Sequence, residues 1–171
     1  LYITHHDQKA FEGLATRLHL RREGQKVIRD AALSDDPVQW EEGDAGIRSI
    51  RYSNVEQHQE LQLPLGKGVT VITGDNDLGK SALVRAVQAL RFNVGENSMI
   101  RRRAHEAVVE LMLEGGHTLT WSYLRRANGG KKASYTLHGP NGKQLRQHES
   151  ATTVPTWLDD VLAMPRAGNL D

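Results

Sequence analysis

A compact apolar run, Val69-Thr70-Val71-Ile72-Thr73, leads straight into Gly74-Asp75-Asn76-Asp77-Leu78-Gly79-Lys80-Ser81, and no other junction restricts the chain as much. The eight residues fit the spacing G-x-x-x-x-G-K-[ST], which needs a strand before it and a helix after it. The strand is the apolar run. The helix is predicted from Leu83, Val84, Val87 and Leu90, which recur at helical spacing as one stripe with Arg85 and Gln88 off it. Glycine at 74 and 79 lets the backbone turn and approach a ligand, so that successive N–H groups and the helix start surround an anion such as the β- and γ-phosphates of a nucleotide. Lys80 would place a point charge on those phosphates, and Ser81 would offer its hydroxyl to Mg²⁺. Gly74, Asp75, Asn76, Asp77, Leu78, Gly79, Lys80 and Ser81 are thus the cofactor-binding candidates, with Ser81 also the metal candidate. The carboxylates of Asp75 and Asp77 would repel a triphosphate, so they are expected to point outward; Asp and Asn also tolerate left-handed backbone in a tight loop.

The rest of the 171 residues is organised around that junction. Leu1-Tyr2-Ile3-Thr4 is a short β-rich run, Gln8 to Ala15 is a candidate helix, and Arg17 to Arg22 alternates as a strand ending at Glu23-Gly24. The stretch 35–46 is acidic, rich in turn formers and without a period, which reads as a linker. Beyond it, Ile47 to Tyr52 and Glu60 to Pro64 read as strands. After residue 106 the pattern alternates through Val109, Leu111 and Leu113, then Leu119, Trp121 and Tyr123, then Tyr135 and Leu137, with Gly115-Gly116 and Asn128-Gly129-Gly130 as turns. An antiparallel meander is expected there, closed by a short helix from Pro155 through Leu162. The three tryptophans read as packing rather than as base-stacking platforms.

Charge is informative only when divided. Residues 1–47 carry six basic and nine acidic side chains, whereas residues 101–146 carry nine basic against three acidic. A local basic surface attracts phosphates even on a nearly neutral molecule, although a solvated hairpin face would look the same. The chain has no cysteine and eight scattered histidines, which exclude a disulfide framework and argue against a zinc site. No apolar run approaches the length of a bilayer span, and no basic-then-apolar leader opens the chain, so a reducing cytoplasm is the expected compartment and no membrane partner is expected. The first residue is Leu1, which marks the chain as an expected fragment or processed product.

From Ile47 to about Leu170 the succession of motifs resembles the N-terminal lobe of ATPase heads of the SMC, SbcC and RecF type, which maintain or repair chromosomes. Ile47 to Asn54 is similar to the first strand of that lobe, Leu63 to Ile72 to the strand pair before the phosphate loop, known there as Walker A, and Ser81 to Leu90 to the helix that follows. Arg101-Arg102-Arg103 and Ala107 to Leu111 resemble its antiparallel β-subdomain. The resemblance implies an α/β P-loop NTPase of the ABC class, with a partial core sheet, helices and an antiparallel β-subdomain. It implies ATP and Mg²⁺ as cofactors, a second ATPase head as homo- or heterodimer partner, and DNA gripped or released by the closed pair; a nuclease partner is compatible with it. Arg101, Arg102, Arg103, Arg125, Arg126, Lys131 and Lys132 are the candidate DNA-facing residues.

The first 34 residues resemble another part of the same superfamily. Leu1 to His6, Leu14 to Arg17 and Arg21 to Gly24 are similar to the end of an ABC-type ATPase, comprising a switch-histidine strand, a helix and a closing strand. In that reading His5 is the catalytic switch residue toward the γ-phosphate; the plainer reading is a surface His5-His6 pair at a strand end. This piece normally follows the phosphate loop, and here it precedes it. Either one head ends and another begins, or residues 1–24 fold onto the same sheet and flank Val69 to Thr73. The division expected is therefore 1–34, a linker at 35–46, and the lobe at 47–171.

Four apolar residues ending in Asp-Glu occur nowhere in the sequence, nor does an L-S-G-G-Q-like signature, so no Walker B carboxylate or signature motif is recognisable. Water activation and full Mg²⁺ coordination need such groups. Three functions follow as expectations. The first is the ATP-binding lobe of a DNA repair, recombination or chromosome-maintenance ATPase, with ATP-driven head dimerisation controlling DNA binding. The second is the ATPase module of an ABC membrane transporter, with Tyr52 as the adenine-stacking aromatic. The third is a scaffold that senses nucleotide without hydrolysing it.

Overall fold

The computed structural model describes residues 2–3, 15–125 and 131–162. Two sheets form the body. The smaller holds β1 (Tyr2–Ile3), β2 (Thr16–Glu23), β3 (Lys26–Arg29) and β6 (Thr70–Gly74) in the order β1-β6-β2-β3. The apolar run before the phosphate loop is the middle of this sheet. Thr70, Val71, Ile72 and Thr73 are all buried, as expected of a strand covered on both faces. Both its neighbours come from upstream and run parallel to it: Tyr2 and Ile3 pair with Val71 and Ile72, and Thr16 to Leu20 pair with Thr70 to Gly74. Among the described residues, Tyr2–Ile3 and Thr16–Glu23 thus lie on the same sheet as β6, one on each side of it. The turn at Gly24, with φ of 59°, then folds β3 back onto β2.

The larger sheet is antiparallel, in the order β10-β9-β8-β7-β4-β5. Its strands are β4 (Ile47–Val55), β5 (His58–Pro64), β7 (Glu106–Leu113), β8 (Thr118–Arg125), β9 (Lys131–His138) and β10 (Gln144–Ser150). The alternation in β7 and β8 puts Ala107, Val109, Leu111, Leu113, Leu119, Trp121 and Tyr123 into the core. β10 escapes a sequence reading because it is an edge strand: most of its residues are exposed, so no apolar face marks it.

Helix α1 (Lys80–Phe92) packs on β1 and β6 of one sheet and on β4 and β7 of the other. That double packing changes the stripe expected of it. Ala82, Leu83, Ala86, Ala89 and Leu90 are buried, while Val84 and Val87 are only half-buried. Small alanines let the helix approach closely where a branched side chain would hold it off. Its C-terminal end is clamped. Tyr135 Oη donates to the Leu90 carbonyl at 2.8 Å, and Arg91 pairs with Asp159 of α2 (Leu158–Leu162) at 2.8 Å. Asn93, with φ of 53°, caps the helix, accepts from Trp121 Nε1 at 3.4 Å and donates to the Thr153 carbonyl at 3.0 Å. The closing helix is shorter than expected; Pro155 to Trp157 form a turn ahead of it.

Residues 35–46 contain no strand or helix, yet they lie against both sheets. Asp35 exchanges bonds with the Arg17 main chain (Oδ2 accepting at 2.7 Å and N donating at 2.8 Å), Trp40 Nε1 donates to the Leu65 carbonyl at 2.8 Å, and the Arg48 guanidinium stacks 3.8 Å from the Trp40 ring. One hydrophobic cluster runs through β2, β6, α1 and the antiparallel strands. Among the described residues no helix is long and apolar enough to cross a membrane. Because Leu18 of β2 is fully buried in that cluster, Leu18→Ala is expected to cost about 2–5 kcal/mol in denaturant unfolding. The exposed Leu145→Ala should stay within about 0.5 kcal/mol.

Candidate functional site

The loop between β6 and α1 has the geometry its sequence requires. Gly74 has φ of 137°, Asp77 of 62° and Gly79 of 74°, so three of its residues lie at positive φ. At Gly74 a Cβ would come within 2.5 Å of the Leu20 carbonyl oxygen, because β2 stays paired with β6 right up to the loop. At Gly79 a Cβ would sit 2.5–2.6 Å from the ends of Gln57 and His58. Glycine is needed at 74 for lack of room against the main chain, and at 79 for its positive φ, where a Cβ would also displace the two side-chain ends. Asp75, Asn76 and Asp77 are exposed, which leaves the two carboxylates outside the fold, while Leu78 is buried and anchors the loop.

Among the described residues, the N–H groups of 75–79 find no acceptor within the chain. The Lys80 ammonium lies across the loop, donating to the Gly74 carbonyl at 2.7 Å and the Asp75 carbonyl at 2.6 Å. Ser81 is exposed in the first turn of α1. Unpaired amides, a helix start and one ammonium group together make a donor-rich cradle.

Three residues outside the motif hold the loop from behind. The Asp77 carbonyl accepts from Arg22 Nη2 at 3.1 Å and from Gln57 Nε2 at 2.8 Å, and the Gly79 carbonyl lies 3.2 Å from His58 Nε2. Since a carbonyl only accepts, His58 carries its proton on Nε2. Its Nδ1 is buried without a partner. Burial pushes the His58 imidazole below the ordinary value of 6.5, against the smaller opposing pulls of the Gly79 carbonyl and the Glu56 carboxylate. None of these three residues belongs to the loop pattern. The sole local trace of Gln57 and His58 is that two polar residues follow one another where the tight β4–β5 turn enters β5.

The basic candidates divide between two segments that meet at one end of the larger sheet. Arg101 to Arg103 precede β7, and Arg125 ends β8; the Arg125 N–H donates to the His105 carbonyl at 2.9 Å and its Nη2 to the Asn97 carbonyl at 3.2 Å. Lys131 pairs with Arg125 in the β8–β9 register, and Lys132 forms an ion pair with Glu149 at 2.7 Å. Arg102 and Arg103 are exposed. His5 and Arg126 lie outside the described residues.

Residues 49–152, more than half of the chain, match the family described as the AAA domain. The chain belongs to the AAA domain family. A 73-residue stretch, 43% of this chain, is 37% identical to the DNA replication and repair protein RecF of Brucella abortus (strain 2308), and the RecF proteins of Brucella suis biovar 1 (strain 1330) and Brucella melitensis biotype 1 match to the same extent. The matched stretch spans 18% of the length of those relatives. Among solved structures, the recombination mediator protein RecF with ATP, of the RecFOR pathway, superposes with a TM-score of 0.45 at 20% identity, covering 63% of this chain and 29% of that one. This AAA domain is an α/β protein with a partial core sheet and an antiparallel β-subdomain.

The pH dependence of stability follows from His58. Its folded-state pKa lies below the unfolded value, so the unfolded chain takes up the proton first and stability declines as pH falls through and below about 6.5. Above that range the imidazole is neutral in both states and contributes no slope. Urea unfolding between about pH 8 and pH 5 is expected to show this acid-side decline, with part of it removed in His58→Gln. Parallel profiles for the two proteins would contradict the assignment.

Proposed function

We propose that this chain is the ATP-binding lobe of a DNA repair or recombination ATPase. One observation carries the reading: the loop at 74–81 presents unpaired N–H groups and the Lys80 ammonium on a strand-to-helix junction. The residues fit a nucleotide triphosphate. No Cβ stands at Gly74 or Gly79, both carboxylates lie outside the fold, and Lys80 bonds only carbonyl oxygens that phosphate oxygens can replace. In this reading the backbone of residues 74–80 holds the phosphates, Lys80 balances their charge, and the Ser81 hydroxyl serves Mg²⁺. Bound Mg²⁺ would supply charge neutralisation on the phosphate oxygens.

The same reading takes a second ATPase head, identical or different, as the partner brought in by ATP. It gives DNA the basic end formed by Arg101, Arg102, Arg103, Arg125, Arg126, Lys131 and Lys132. The sequence likeness to RecF supports the repair assignment. So does the convergence of two basic segments, more than twenty residues apart, at one sheet end. In this reading His5 is the switch histidine toward the γ-phosphate.

Two measurements test the proposal. In a fluorescent-nucleotide titration, Lys80→Ala is expected to weaken ATP binding about tenfold or more, the worth of a charge-assisted bond. For DNA, reversing Arg125, Arg126, Lys131 and Lys132 to Glu in the ATP-bound protein should lower affinity and flatten its salt dependence by about 0.9 in slope for each phosphate no longer neutralised. Unchanged DNA affinity after the reversal would remove these residues from the interface.

A further inference from the structure

The β4–β5 turn reaches the phosphate loop, and nothing in the loop motif calls for it. Its residues sit about twenty positions before those they touch. Gln57 Nε2 donates to the Asp77 carbonyl at 2.8 Å, and His58 Nε2 to the Gly79 carbonyl at 3.2 Å. The peptide plane gives these two bonds their consequence. In a trans peptide the C=O of one residue and the N–H of the next point in opposite directions. Fixing the Asp77 carbonyl therefore fixes the Leu78 N–H, and fixing the Gly79 carbonyl fixes the Lys80 N–H, each aimed away from the turn. Both carbonyls belong to residues at positive φ, a backbone state that an unsupported loop holds only weakly when one of them is Asp.

The turn is itself held on two further sides. Arg85 of α1 grips the Glu56 carboxylate through hydrogen bonds of 2.7–3.0 Å, and the Glu56 N–H donates to the Met99 carbonyl at 2.7 Å. On the other side the Arg101 N–H donates to the Asn54 carbonyl at 2.9 Å. A turn pinned in this way can act as a fixed support for the loop.

We propose that Gln57 and His58 are positioning residues of the nucleotide site, clamping the Asp77 and Gly79 carbonyls so that the Leu78 and Lys80 N–H groups face the phosphates. The inference rests on the reading of residues 74–81 as an ATP loop. Neither side chain needs to touch the nucleotide. Each side chain adds to a donor already in place: Asp77 also accepts from Arg22 Nη2, and the Gly79 carbonyl also accepts the Ala82 and Leu83 N–H groups of the first helical turn at 3.0 and 3.4 Å.

The test compares ATP affinity in the wild type, Lys80→Ala, His58→Leu, His58→Gln and Gln57→Glu, together with the ATP-induced shifts of the Leu78 and Lys80 amide resonances. His58→Leu is expected to lose about threefold in affinity and part of the shift at the Lys80 amide, since the helix start keeps its own bonds to the Gly79 carbonyl. His58→Gln, whose Nε2 can take the place of the ring nitrogen, should recover most of both. Should His58→Leu fail to fold, Gln57→Glu carries the same comparison at Asp77 and Leu78, with a loss of about threefold. If Lys80→Ala loses ATP while His58→Leu and Gln57→Glu bind within about twofold of wild type, the clamp is overturned and the ATP loop stands. Equal losses in His58→Leu and His58→Gln would also overturn it. A wild type that binds no ATP, or a Lys80→Ala that binds as well, overturns the loop reading and the clamp with it.

Discussion

The architecture depends on β6 being paired on both edges by parallel strands that arrive from earlier in the chain. A strand buried on both faces has nowhere to send its backbone polar groups except to neighbours, and β1 and β2 are those neighbours. Pairing with β2 continues to Gly74, so the loop begins at a point already fixed in space. Residue 74 must then lack a side chain, because the Leu20 carbonyl occupies the room a Cβ would need. The glycine that opens the loop is thus explained by packing against the sheet before any ligand is considered.

From that fixed point the loop is supported on both sides. The Lys80 ammonium crosses its mouth, and Arg22, Gln57 and His58 take its carbonyls from behind. The Gly74 and Asp75 carbonyls thus go to Lys80, and the Asp77 and Gly79 carbonyls to side chains of β2, the β4–β5 turn and β5. Holding the Asp77 and Gly79 peptides in place limits the reorganisation that anion binding would need to an exchange of partners at Lys80. A neutral, buried His58 fits this role, since a carbonyl asks of it only one N–H.

Legibility in the sequence depends on whether a feature is local. The β6–loop–α1 junction is readable because strand, glycines, lysine and helix stripe all lie within about twenty residues and each answers to a local rule. The meander from β7 to β9 is readable by alternation, and the outward placement of Asp75 and Asp77 by simple repulsion. β10 and β3 are not, since an exposed polar edge strand and a four-residue hairpin arm leave no periodic trace. Spacing alone puts Val84 and Val87 in the helix stripe, whereas the alanines take the closest packing, because only the presence of a second sheet on α1 tells which face must be thin. Arg22, Gln57 and His58 lie beyond reach for the same reason: their role exists only once β2 and the β4–β5 turn converge on one loop. The flanking of β6 by residues from the start of the chain is reachable through resemblance, and from no pattern within the residues themselves.

Helix α1 is gripped at its far end by Tyr135, Arg91 and Asn93, which tie it to the antiparallel sheet, to α2 and to the segment between them. A rod seated in the loop at one end and tied at the other spans the distance between the candidate site and α2 without a break. Its packed alanine face leaves little slack for bending, so the Arg91–Asp159 pair fixes α2 relative to the loop.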